Sequence, residues 1–361
     1  MSHSQSADLS HLLKLAVLVL KLAMHRIAIA PLHVFAFAFV FAIQAKADTE
    51  NESPQEIRRR LSPYMKMFVR DAAALTKNKA KIDLGRTLFY DKRLSATSTF
   101  SCNACHDLEK YGTNGTRYTT QREAEKTYRD VPSLYNLKSS ELFNWDGQYT
   151  SLEAKTAAAI TSPHEMNMPD KGTLVSRLAG SPGYVPLFQA AFPKSNKPVS
   201  FDNAVSALTE FQRGLITLAP IDRFLQGDDK ALDPKQLRGG RVFDDKGCVA
   251  CHTGATFGGQ MVMKLGVTEQ WPNQADQGLF TVTKDPKHKM AFRVSSLRNV
   301  AKTAPYFHGA SSRRLWGAIE KMSRYELGQH ISVDDNLSLV AFLRALTGDI
   351  PEDYIKKPAI P

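Results

Sequence analysis

Apolar positions recur at helical spacing in several stretches of the chain. In "FDNAVSALTEFQRGLI" (201–216), Val205, Leu208, Phe211 and Leu215 fall on one helix face. "DPKQLRGGRVF" opens with Asp233 as N-cap and Pro234 at the first helical position, where proline's missing N–H would have had no partner. "SVDDNLSLVAFLRALTG" opens with a capping box, Ser332 and Asp335, carries Val340, Leu343 and Leu346, and closes on Gly348. Alternating, strand-like runs are scarce, so the pattern predicts a mainly α fold with long loops.

The densest apolar run is "VFAFAFVFAI", Val34 to Ile43. About ten residues is too short for a bilayer, where roughly 20 are needed. His25 and Arg26 precede it and Ala45-Lys46-Ala47 ends it, so residues 1–47 read as a secretory signal peptide cut after Ala47. The polar "DTENESPQE" that follows favours cleavage over a retained anchor, and no membrane span is expected after processing. Met24 is an alternative start.

With 361 residues the length favours two domains, and 43% apolar with 23% charged residues is ordinary for a soluble protein. The formal charge of +11 includes a net +3 from the leader (Lys14, Lys21, Arg26 and Lys46 against Asp8), leaving the mature chain near +8. No Lys/Arg block or basic-aromatic stripe accompanies that charge, which argues against nucleic acid and suits an acidic soluble partner.

All four cysteines fall in two copies of one pattern, "CNACH" (Cys102, Cys105, His106) and "CVACH" (Cys248, Cys251, His252). A redox dithiol needs only C-x-x-C, in a strand-then-helix context that neither copy has. A zinc ribbon spaces its knuckles by about 15 to 20 residues and gives no reason for the trailing histidine. Thioether attachment of haem accounts for every residue, with the histidine as proximal ligand of the iron. Export agrees, because c-type attachment takes place on the oxidising side of the membrane.

The approaches to the two motifs, "LGRTLFYDKRL" and "RGGRVFDDKG", share Gly-Arg followed by an apolar pair with Phe. This weak internal repeat suggests two cytochrome-c-like lobes, each with one covalently attached haem. The boundary is expected near "ITLAPIDRFLQGDD", where Pro220 and Gly227 interrupt the helical pattern, giving lobes of 48–218 and 219–361.

Four further segments carry a specific resemblance: "NWDGQYTSLEAK", "SPHEMNM", "DQGLFTVTKDPKHKMAFRVSSLRNVAKTAPYFHGA" and the surroundings of the second motif. Together they resemble the bacterial di-haem cytochrome c peroxidase family, from about Ile82 to Gly348. The resemblance implies a peroxide-reducing haem on Cys102, Cys105 and His106, and an electron-entry haem on Cys248, Cys251 and His252. Met322 matches the sixth ligand of the latter, and a thioether there raises the potential. Glu165 matches the distal glutamate, a carboxylate able to move a proton between the peroxide oxygens. Trp145 matches the tryptophan between the haems. Asp130, Thr303 and Pro305 match the positions that bind calcium. Hydrogen peroxide, a small donor (a cytochrome c or a blue-copper protein), a periplasmic location and frequent homodimers belong to the same expectation.

Several positions depart from the family. Gln148 stands where an arginine follows Trp-Asp-Gly, Asn144 precedes the tryptophan, and His164 precedes the glutamate. Arg122 sits at the place of a distal histidine, 16 residues past His106, and an always-protonated guanidinium is not expected to ligate iron. The first haem is then expected to rest open, or to be closed by another group such as His164 or water. An open site keeps two other functions in view. One is peroxide-driven oxidation of a partner protein's side chain, as in the methylamine dehydrogenase maturation enzymes, where tyrosine replaces the methionine; Tyr325 lies one turn from Met322. The other is a di-haem electron carrier without catalysis.

Overall fold

Capping chemistry starts the main helices where the sequence places their first turns. The computed structural model describes residues 52–69, 71–116 and 129–361. Residues 1–47, expected to be a signal peptide, and Arg122 lie outside them. Labelled in chain order, the helices that build the site are α1 (Pro54–Leu61), α2 (Lys79–Tyr90), α3 (Cys102–Cys105), α4 (Leu152–Thr161), α5 (Phe201–Arg213), α6 (Pro234–Asp245), α7 (Leu315–Tyr325) and α8 (Val333–Arg344). Two three-residue strands, β1 (Val262–Lys264) and β2 (Ala291–Arg293), pair antiparallel with Val262 opposite Arg293. The fold is therefore mainly helical, as the apolar spacing predicts.

Asp233 accepts from the Gln236 N–H at 2.8 Å while the Gln236 side chain returns to Asp233 N at 2.9 Å, a full capping box at the start of α6. At α8 only half of the predicted box forms. Ser332 Oγ accepts from Asp335 N at 3.1 Å, but the Asp335 carboxylate faces Arg238 Nη2 at 3.2 Å instead. That helix ends at Arg344, four residues before Gly348. Its inward face is Leu339, Phe342 and Leu343, with Val340 only half-buried. In α5, Val205, Leu208 and Phe211 are buried as expected; Leu215 lies past the Gly214 cap and is buried from the loop.

Residues Pro54–Pro361 form one compact unit with two large hydrophobic clusters. The first gathers Leu84, Leu88 and Phe89 of α2 with Ala204, Leu208 and Phe211 of α5. The second gathers Val242 and Phe243 of α6 with Leu339, Phe342 and Leu343 of α8. The chain ends cross over: Ile57 and Leu61 of α1 lie in the second cluster and Ile355 in the first.

The two helix pairs are built alike. A Cβ on Gly85 would lie 1.9 Å from the Ala207 carbonyl oxygen, and one on Gly239 would lie 2.0 Å from that of Ser338. Phe89 packs on Phe211 and Phe243 on Phe342, both at 5.4 Å between ring centroids. The repeat in the sequence is thus a helix crossing at which only hydrogen fits between the backbones. Its second glycine is Gly239, four residues before Phe243, rather than the Gly240 of the Gly-Arg pair. No helix among the described residues is long and apolar enough to cross a membrane.

Candidate functional site

The first cysteine pair forms a single helical turn, α3, closed by the His106 N–H bonding to the Cys102 carbonyl at 2.9 Å. His106 Nδ1 lies 3.2 Å from the Gly112 carbonyl and 3.1 Å from that of Pro132. Carbonyls only accept, so Nδ1 carries the proton and Nε2 keeps a bare lone pair. The second motif opens with a 3-10 turn, Cys248–Ala250, and His252 Nδ1 donates to the Phe257 carbonyl at 3.2 Å. Burial lowers both imidazoles below the ordinary histidine value, keeping them in the neutral, ligating form.

None of the four cysteines is in a disulfide. Burial pushes the Cys102 thiol up to about 12 and that of Cys248 up to about 11. A redox dithiol depends on the opposite, a thiol depressed toward neutrality. Two thiols outside any disulfide, beside a histidine that donates from Nδ1, are the donor set that covalent haem attachment requires, so the residues present fit the group at both motifs.

Glu165 reaches the first motif from the loop after α4. Both of its carboxylate oxygens lie 2.7 Å from Lys155 Nζ, and the charges of this pair act on Cys102 and His106. Sequence reasoning placed Glu165 here but missed Lys155, ten residues upstream, because nothing local signals a pair formed when the chain turns back on a helix. His164 is exposed, its N–H bonded to Ser162 Oγ at 3.1 Å.

Trp145 is half-buried and donates from Nε1 to the Asp130 carbonyl at 2.7 Å. Its ring meets His308 edge-on at 6.5 Å, and His308 stacks on Phe292 at 4.1 Å. The Asp130 N–H donates to the His308 carbonyl at 2.7 Å, which sets Asp130 beside the loop that carries Thr303 and Pro305. The Asp130 carboxyl is buried and pushed up to about 8 by that burial, opposed only by the Val131 N–H. A buried carboxylate with no ion-pair partner among the described residues fits a bound cation.

Gln148, at the position of the expected arginine, is half-buried and binds Asp146 through its backbone at 3.2 Å. A different arginine, Arg293 of β2, lies against this turn. Its N–H donates to the Trp145 carbonyl at 2.7 Å and its Nε to the Asn144 carbonyl at 2.8 Å. Burial pulls its guanidinium down to about 10, with Asp146 the opposing charge. Asp146 is also paired with Arg129, which grips Asp276 through two bonds of 2.7 and 2.9 Å.

Met322 is half-buried on α7. Tyr325 of the same helix is buried edge-on against Trp271 at 5.0 Å, so its ring belongs to an aromatic cluster with Met290 and Phe292. Glu326, at the end of α7, acts on the Cys251 thiol, which places this helix near the second motif.

Residues 79–230 match the di-haem cytochrome c peroxidase family. The chain is 37% identical over 286 residues to the cytochrome c551 peroxidase of Pseudomonas aeruginosa, spanning 77% of this chain and 81% of that protein. It is 33% identical over 282 residues to the methylamine utilization protein MauG of Methylophilus methylotrophus, spanning 74% of this chain and 82% of that one. Among solved structures, a MauG-like protein associated with microbial copper homeostasis superposes with a TM-score of 0.70 at 28% identity, over 78% of this chain and 95% of that chain. With its paired C-x-x-C-H motifs, its helix-pair architecture and these relatives, the chain belongs to the di-haem cytochrome c peroxidase family.

Proposed function

We propose that the protein is a periplasmic peroxidase that reduces hydrogen peroxide to water with electrons from a small redox protein. The observation that carries this reading is the Glu165 carboxylate within electrostatic reach of Cys102 and His106. Relatives named cytochrome c peroxidase at 32 to 37% identity support it.

Cys102, Cys105 and His106 would hold the peroxide-facing haem, and Cys248, Cys251, His252 and Met322 the electron-accepting one, in lobes 48–218 and 219–361. When bound, haem iron supplies the redox chemistry that breaks the O–O bond. Glu165 takes the proton from one peroxide oxygen and returns it to the other as it leaves. The overall change consumes two electrons and two further protons and yields two waters. The Gly112 and Pro132 carbonyls fix the His106 ring, and the Asp130 carbonyl holds the indole N–H of Trp145, the residue that would lie between the haems. Asp130, with the backbone at Thr303 and Pro305, would hold calcium beside Trp145.

A second reading, oxidation of a partner protein's side chain, has the MauG relative behind it. The engagement of the Tyr325 ring with Trp271 favours Met322 as the ligand and so the peroxidase. Steady-state peroxide reduction with reduced cytochrome c, with and without pre-reduction and beside EPR of the oxidised protein, tests this. Turnover with a small donor is expected, and its absence with every small donor tried would favour the second reading. Turnover without pre-reduction, with a high-spin ferric signal, is expected if Arg122 leaves the first site open.

A further inference from the structure

Glu165 and Lys155 are fixed to one helix by different means. Lys155 is part of α4, whose start is capped by Ser151 accepting from Ala154 N at 3.1 Å and whose Leu152, Thr156 and Ile160 are buried. Glu165 returns to the same helix through the backbone: its N–H bonds the Ser162 carbonyl at 3.0 Å, Met166 N that of Ala159 at 3.0 Å, and Met168 N that of Ile160 at 2.9 Å. Met166 and Met168, which both follow the glutamate, are buried and pin the strap on that side. The Lys155 side chain is 19% exposed and that of Glu165 38%, so the pair is partly shielded from water.

Among the described residues, the Tyr149 ring lies 6.0 Å from the Lys155 ammonium, and Cys102 and His106 feel both charges. Lys155 bonds both oxygens of the carboxylate. A carboxylate that is to take a proton from peroxide must be ionised beforehand. An ammonium 2.7 Å from both of its oxygens sets the plane of the carboxylate.

From this geometry we infer that Lys155 is a positioning residue for peroxide reduction, holding the Glu165 carboxylate in one orientation beside the first haem-attachment motif. The inference rests on Glu165 being the proton-transfer group. It asks of Lys155 no proton of its own, and the reaction's balance is unchanged.

The test uses the haem-loaded protein and four variants: Lys155→Met, Lys155→Gln, Lys155→Arg and Glu165→Gln. Two quantities are followed: kcat/KM for hydrogen peroxide, and the splitting between the carboxylate stretches of Glu165 in the infrared, isolated by subtracting Glu165→Gln. Unchanged Soret spectra and melting temperatures select folded variants. In Lys155→Met and Lys155→Gln the splitting is expected to shift as the two-oxygen contact is lost and kcat/KM to fall by about 10-fold; in Lys155→Arg, whose guanidinium can restore a two-oxygen contact, both are expected to stay near the wild-type values. An unmoved splitting in both neutral variants, with Glu165→Gln inactive, overturns the role of Lys155 alone. Full turnover in Glu165→Gln overturns the reading of Glu165, and the role of Lys155 with it.

Discussion

Glu165 is the side chain on which the proposed chemistry turns, and the one whose loss is easiest to read. Glu165→Gln keeps shape and hydrogen bonding but cannot take a proton. It is expected to lower kcat/KM for peroxide by about 10²- to 10⁴-fold, measured with reduced cytochrome c, while leaving haem attachment and the Soret band unchanged. The two C-x-x-C-H motifs proposed to hold haem were legible in the sequence because thioether attachment and proximal ligation demand cysteines and histidine at a short, fixed spacing. The carbonyls that fix the histidines were not: Pro132 lies 26 residues from His106, and its contact exists only once the loop has closed. Arg293 was missed for a similar reason. The sequence shows that an arginine is absent at Gln148, but not that one from β2 comes to the Asn144 turn.

At the scale of elements, the two helix crossings make a sharp comparison between neighbouring glycines. A Cβ at Gly239 would meet backbone, the Ser338 carbonyl oxygen at 2.0 Å, whereas at Gly240 it would meet only side-chain ends of Leu61, Phe342 and Ile57 at 3.2 to 3.4 Å. Alanine is ordinarily the better helix former by about 1 kcal/mol. Gly240→Ala is accordingly expected to be near neutral, the propensity gain offsetting slight crowding. Gly239→Ala must push α6 from α8 and is expected to destabilise by roughly 1 to 3 kcal/mol, as overpacked cores do. Urea unfolding of the two variants side by side checks this, and equal midpoints would show that the crossing tolerates a methyl group. The α6 start was readable from Asp-Pro, because capping is local. The end of α8 was not, because its last predicted turn gives way to loop packing around Leu346, which is fully buried without being helical.

Across the whole molecule, buried ion pairs join segments far apart in the chain. Arg298 and Asp222 are almost fully enclosed and share two bonds of 2.6 and 2.8 Å; Asp222 also accepts from the N–H groups of Phe68 and Ala219. Arg298→Met would leave that carboxylate buried without its cation, and a loss of about 3 to 5 kcal/mol is expected in equilibrium unfolding. Arg129 ties Asp146 to Asp276. Although burial alone would raise the Asp276 carboxyl, bonding and charge from Arg129 hold it below the usual carboxylate range. A depressed carboxyl stabilises the fold above its unfolded value, and the contribution is lost as pH falls through the folded value. Wild-type stability should therefore decline below about pH 4, and this part of the decline should vanish in Arg129→Met, measured by urea unfolding between pH 3 and 6.

By itself the sequence determined the chemistry that depends on adjacent residues: two haem-attachment motifs, the helix starts, the helical class, and, through Glu165 and Trp145, where to look for proton transfer and for the link between motifs. Tertiary structure alone decided which partners those residues have. Lys155 opposite Glu165, Asp130 under Trp145, Arg293 at the Asn144 turn, and the crossing of the chain ends between the two clusters all join positions separated by loops. Local spacing encodes what a turn of helix or a thioether requires. A contact between distant segments depends on how the loops close and on which buried charges must then be paired, and one chain read in order does not carry that.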